Sequence, residues 1–164
     1  MRKLILIFLI SGIIFSCEKD DDNNSQEQAI GNIINPSFNV DLMIGAWVNE
    51  TIIVNGNQEI SYEHNPNCTK DVFGFFNTDI RPFTYEEIIH INNDCGTSQV
   101  ILDWKVNENI LSFYFGEQLV LEYEVLNITD TEFTVLTSDD YNNDGTIDTI
   151  QITAKREDPY GWFE

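Results

Sequence analysis

The feature that most limits what this chain can fold into is a two-residue alternation of apolar and polar side chains, repeated in short runs from Leu42 onward. Val100, Leu102, Trp104 and Val106 alternate with Gln99, Ile101, Asp103 and Lys105, and Leu119, Leu121, Tyr123 and Val125 alternate with Val120, Glu122 and Glu124. Leu111, Phe113 and Phe115 share one face of a run, and Phe133 and Val135 share another. Val48, Ile52 and Val54 mark an early strand; Ile150, Ile152 and Ala154 mark the last. Successive side chains of an extended chain point to opposite sides, so each run sends one set inward and the other to water. No segment carries a helical period.

Turn signals separate the runs: Asn55-Gly56-Asn57, Asn92-Asn93-Asp94, Asn107-Glu108-Asn109, Gly116-Glu117, Asp130 and Asn143-Asp144-Gly145. Asn and Gly tolerate the positive φ that tight hairpins need. Connections this short make neighbouring strands antiparallel. The expected fold is all-β, an antiparallel up-and-down barrel of about eight strands, whose closure removes the exposed edges.

The first residues obey different rules. Met1-Arg2-Lys3 is basic, and Leu4 to Phe15 is an apolar run interrupted only by Ser11 and Gly12. About 12 residues make about 18 Å of helix, too short for a bilayer and right for a signal-peptide core. The run ends Ile14-Phe15-Ser16-Cys17, which resembles the lipobox of bacterial lipoproteins, with Phe15 bulkier than usual. The resemblance implies a diacylglyceryl group on the Cys17 sulfur, cleavage before Cys17, and a membrane partner reached through lipid. Lys19 followed by Asp20-Asp21-Asp22 looks like the surface-export signal of Bacteroidota lipoproteins, or else is a solvated acidic linker. The first alternative implies an outer-membrane, cell-surface location.

The expected organisation is a signal peptide over 1–16, a lipidated cysteine and flexible acidic tether over 17–40, a barrel over 41–158 and a tail over 159–164. The net charge is −20, and −22 once the leader cations Arg2 and Lys3 are gone. Such a surface repels phosphates, so nucleic acid is excluded as a partner. Cys68 and Cys95 remain as an even pair in an oxidising compartment and are expected to form a disulfide.

Met43-Ile44-Gly45-Ala46-Trp47, Cys68-Thr69-Lys70-Asp71, Cys95 and Thr153-Ala154-Lys155-Arg156, in that order, resemble the small lipocalin-like lipoproteins of Bacteroidota over roughly residues 42 to 157. The resemblance implies a barrel plugged at one end by Trp47, with Arg156 stacked on the tryptophan.

Asp140-Tyr141-Asn142-Asn143-Asp144-Gly145-Thr146-Ile147-Asp148 follows the order of a calcium loop. By that resemblance Asp140, Asn142, Asp144 and Asp148 would offer side-chain oxygens and Thr146 a backbone oxygen to Ca2+. Gln151 stands where a bidentate glutamate is usual, and no helices flank the loop, so a solvated Asn-Asp-Gly hairpin turn is the other reading. No cofactor is required. His64 and His90 lack a third ligand at metal spacing. Glu86-Glu87 and Glu122/Glu124 are carboxylate pairs of the kind glycoside cleavage uses, but chance pairs abound in so acidic a chain. Phe73-Gly74-Phe75-Phe76 and Phe113-Tyr114-Phe115 line a pocket or fill the core.

Three functions stay open: a non-enzymatic barrel binding a small apolar or amphipathic ligand, an interaction module of a surface complex, and, last, a glycan or peptide hydrolase. A cavity of several hundred Å³ favours the first, a filled interior with an exposed apolar patch the second, and two converging carboxylates the third.

Overall fold

The computed structural model describes residues 32–91 and 94–163. The leader, Cys17 with its expected lipid, and the acidic residues that follow it lie outside the described residues.

Among the described residues ten strands form: β1 (Ile33–Ile34), β2 (Gly45–Val54), β3 (Ile60–Ser61), β4 (Val72–Thr78), β5 (Arg81–His90), β6 (Thr97–Asn107), β7 (Ile110–Phe115), β8 (Gln118–Ile128), β9 (Glu132–Asp139) and β10 (Asp148–Arg156). Eight of them close an antiparallel ring in the order β2-β4-β5-β6-β7-β8-β9-β10, with β10 returning to β2. This is the eight-stranded barrel that the alternation predicts. A 3-10 turn, Val40–Leu42, is the only helix among the described residues.

The hairpins sit where the turn chemistry places them. Asn55 and Gly56 take φ of 52° and 68°, Glu108 takes 56°, and Gly116 takes 60°. Asp79-Ile80, between β4 and β5, turns with neither Asn nor Gly and gave no sequence signal. Bulges shift the register between Phe76 and Thr78, between Phe113 and Tyr114, between Val125 and Asn127, and between Thr153 and Ala154. Such extra residues raise the local twist that a small barrel needs.

The inner faces meet in one core. Trp47, Phe75, Trp104, Leu111 and Phe113 have no exposed surface, and Phe133 almost none. Phe75 stands edge-on to Trp104 and to Phe133, at centroid distances of 6.1 and 5.9 Å. Tyr85 meets Phe113 edge-on at 4.7 Å. Burial of each such ring stabilises the fold by about 1.5–3 kcal/mol, and the edge-to-face geometry adds about 1 kcal/mol per pair.

The domain extends past both expected boundaries. β1 pairs in parallel with β6, Ile33 opposite Val106, so the chain joins the barrel before residue 41. At the other end, Tyr160 and Trp162 pack on the outer faces of Ala46, Val48, Val72 and Ile88 as a second small core. Trp162 lies over Gly74, where a Cβ would stand 2.8 Å from the indole ring. Phe76 is stacked between Phe163, 4.7 Å away, and the guanidinium of Arg81. Residues 159–163 are therefore a strap on the barrel wall. A short tail, though rich in aromatics, carries no strand or helix period from which this docking could be read.

Candidate functional site

The meander gives the barrel two unlike ends. β2 runs away from the 3-10 turn, so the connections β2–β4, β5–β6, β7–β8 and β9–β10 all fall at the opposite end.

The first end is sealed. Val40 and Met43 enter the core, and Trp47 Nε1 donates to the Met43 carbonyl at 2.9 Å. The Arg156 guanidinium lies over the Trp47 ring, 4.2 Å from its centroid. It also donates through Nη1 to the Ile44 carbonyl at 2.8 Å, through Nε to the Asp130 carbonyl at 2.7 Å, and through Nη2 to the Leu42 carbonyl. Gly45 takes φ +141°, and a Cβ there would stand 2.0 Å from Arg156 Nη1. The glycine and tryptophan of the Gly-x-Trp motif thus serve one joint: the ring receives the cation, and the bare Cα lets it through.

The second end holds a cavity lined from inside the barrel. Its volume is about 20 Å³, room for one water molecule. Phe73 and Phe133 form its aromatic side, and Val135, Ile152 and Ala154 its aliphatic wall. Four polar side chains converge on it: Asn49, Tyr85, Glu87 and Tyr123. Asn49 and Glu87 each stand two residues beyond a core aromatic, Trp47 and Tyr85, on the same inward face. Val100, opposite Glu87 on β6, shares that face and is 38% exposed.

Glu87 is the one ionisable carboxyl of the cavity. Burial raises its pKa to about 7, against a hydrogen bond from the Tyr85 hydroxyl, with the Asp71 charge adding a smaller upward push. Burial also drives the Tyr85 and Tyr123 hydroxyls upward, with the nearby Glu87 charge reinforcing it. Glu87 keeps part of its surface in solvent, so it is a carboxyl at a mouth and not a sealed one. Its neighbour Glu86 points the other way, where Arg81 pairs with it and the Gln99 amide donates to it. The adjacent glutamates therefore never form a carboxylate pair. Glu122 accepts from the Ser112 hydroxyl and Glu124 from Asn109.

The histidines join a partly buried cluster around Asp71. Asp71 Oδ1 accepts from the His90 amide at 2.7 Å and lies 3.1 Å from His90 Nδ1. Asp71 Oδ2 accepts from the Tyr62 hydroxyl at 3.1 Å. The Asp71 amide donates to His64 Nδ1 at 3.2 Å, which leaves Nε2–H to donate to the Asn49 carbonyl at 2.9 Å. Cys68 and Cys95 are joined, with Cα atoms 5.5 Å apart, and tie the β2–β4 connection to the β5–β6 connection. Burial and the Asp71 carboxylate both raise the Tyr62 pKa.

In the acidic loop the oxygens face inward to the chain's own amides. Asp140 accepts from the Asp144 and Gly145 amides at 2.9 and 2.8 Å, and Asp144 from the Thr146 amide at 2.8 Å. Asn142 accepts from the Asp144 amide and donates to the Asp144 carboxylate. Asp148 is buried, accepting from Asn55 and from the Tyr141 amide. Among the described residues no three His, Cys, Asp or Glu side chains are grouped so as to hold a metal ion.

Sequence reasoning did not single out Asn49, Tyr85 or Tyr123, and weighed Glu87 only as half of a pair. The available signal was parity: Glu87 is a charge on the same face of its strand as Phe83, Tyr85 and Ile89.

Among solved structures, the chain is similar to a lipocalin-like protein from Bacteroides uniformis, at 9% identity and a TM-score of 0.48, covering 71% of this chain and 99% of that one. It is similar to an uncharacterised protein from Bacteroides eggerthii at 9% identity and a TM-score of 0.46, over 70% and 99%. It is similar to a deswapped triple mutant of bovine odorant-binding protein at 10% identity and a TM-score of 0.39, over 71% and 74%. No curated protein matches the chain. The family model for the lipocalin-like domain matches residues 43–135, more than half of the sequence. With its closed meander, sealed end and Gly45-Ala46-Trp47 joint, the chain belongs to the lipocalin-like domain family.

Proposed function

We propose that the chain is a non-enzymatic binding protein that takes a small amphipathic molecule at the open end of its barrel, while lipid on Cys17 holds it to the outer face of the outer membrane. The observation that carries the reading is the convergence of Asn49, Tyr85, Glu87 and Tyr123 on one cavity between aromatic walls at that end. Ligand sites are apolar concavities with a few placed polar groups, and barrel mouths are common hosts. The cavity as it stands receives a head group only; the body of a ligand would rest along the mouth beside Val100. The aromatic filling leaves far less than the several hundred Å³ of an open ligand barrel. Native mass spectrometry of protein isolated from its own cells tests the reading. A small molecule carried with the folded chain and released on unfolding supports it; a bare chain under every gentle extraction opposes it.

A filled interior favours a second reading, an interaction module of a surface complex. Ile80, Ile147 and Phe115 are 90%, 68% and 64% exposed. In that case a protein, and no small molecule, accompanies the chain from its membrane.

A further inference from the structure

We infer that the head group this mouth selects is a primary ammonium, a class assignment that rests on ligand binding at the open end. The cavity is water-sized, and an –NH3+ group is about as large as a water molecule. An ammonium carries three donors and no acceptor. Residues carrying three kinds of acceptor line the cavity: a carboxylate on Glu87, a side-chain carbonyl on Asn49 and phenol oxygens on Tyr85 and Tyr123. Phe73 and Phe133 line it as well, and aromatic rings attract cations placed over their faces. No basic side chain of the described residues pairs with Glu87, whereas Glu86 on the opposite face has Arg81. A carboxylate or phosphate head would meet Glu87 and a chain of net charge −20, and is repelled. A quaternary ammonium brings methyl groups that exceed the space. The alkyl part leaves past Val100, whose side chain offers apolar surface at the rim.

The groups facing Glu87 are Tyr85 on its own strand, Tyr123 from β8, Tyr62 from beside β3 and Asp71 from the start of β4. None of them is a cation, so the ligand's ammonium supplies the compensating charge. Ammonium binding then needs Glu87 ionised, and affinity falls as pH drops through about 7.

The test is calorimetric titration of the purified full-length chain at pH 8 with n-hexylamine, hexan-1-ol, hexanoate and hexyltrimethylammonium. A charge-assisted hydrogen bond predicts n-hexylamine tighter than hexan-1-ol by about tenfold, with hexanoate weakest and the trimethylated amine weaker than the primary one. Glu87→Gln, nearly isosteric, should bring n-hexylamine and hexan-1-ol within about threefold of each other without weakening the alcohol. Near-ultraviolet circular dichroism checks that the variant is folded; if it is not, Tyr123→Phe, which removes one acceptor, should weaken the amine and spare the alcohol. Equal or tighter binding of hexan-1-ol or hexanoate overturns the ammonium assignment and leaves ligand binding at the mouth standing. Binding of no probe overturns the assignment as well, and the mass-spectrometric experiment then decides separately whether the mouth carries anything.

Discussion

Arg156 and Trp47 face each other across the seam where β10 closes the barrel onto β2, guanidinium over indole at 4.2 Å, directly paired in register. The contact closes the ring and seals the floor at once, because the same guanidinium caps three carbonyls from two segments, those of Leu42 and Ile44 before β2 and that of Asp130 between β8 and β9. Trp47→Ala should lower the unfolding free energy by about 4 kcal/mol, the usual loss for a fully buried large ring. Arg156→Ala should cost about 2 kcal/mol, from the lost cation–π contact and the lost charge-assisted hydrogen bonds to three carbonyls. Urea midpoints measure both.

Gly45→Ala is expected to destabilise by more than its φ strain of about 1–3 kcal/mol, because the new methyl meets Arg156 Nη1. In an Arg156→Ala background the clash disappears and only the strain remains. A double-mutant cycle should therefore show a smaller cost for Gly45→Ala in that background. Simple additivity would mean that the two residues do not share a joint.

Glu87 links stability to pH with a definite sign. Its folded pKa lies near 7, above its ordinary 4.5, so its contribution is complete below about 4.5 and is lost as pH rises through about 7. Glu87→Gln removes that penalty. The variant should melt at a higher temperature than the parent at pH 8 and at nearly the same temperature at pH 4.5. Parallel melts of the two proteins at both pH values check it; equal melting at pH 8 would place Glu87 in water.

The Cys68–Cys95 bridge closes a loop with a sequence separation of 27. Reduction should cost about 3.5 kcal/mol in the chain-entropy description. The buried Asp71 beneath it accepts from His90 and Tyr62. Asp71→Ala should cost about 3 kcal/mol by stranding those donors, and chemical denaturation with and without reductant separates the two effects.

Much of the barrel was legible because strand period and turn chemistry agree. Val100, Leu102, Trp104 and Val106 do face inward, and Asn55-Gly56 and Gly116 do turn. The Asp79-Ile80 turn was hidden, since neither residue needs positive φ. The strap of Tyr160 to Phe163 was hidden because docking on an outer wall leaves no period in the docked segment. Cys68 and Cys95 were paired by counting alone. The mouth was the least legible part: Asn49, Tyr85, Glu87 and Tyr123 come from three strands, and only barrel closure brings them together.

The claim that the open end is the binding end is tested most directly by chemical-shift mapping on nitrogen-15-labelled protein, with n-hexylamine and hexan-1-ol added separately. The account predicts that the largest amide shifts fall at Asn49, Glu87, Val100 and Tyr123 while Trp47 and Arg156 stay still. Shifts concentrated at the sealed end, around Ile80, Trp47 and Arg156, with the mouth silent, would contradict it.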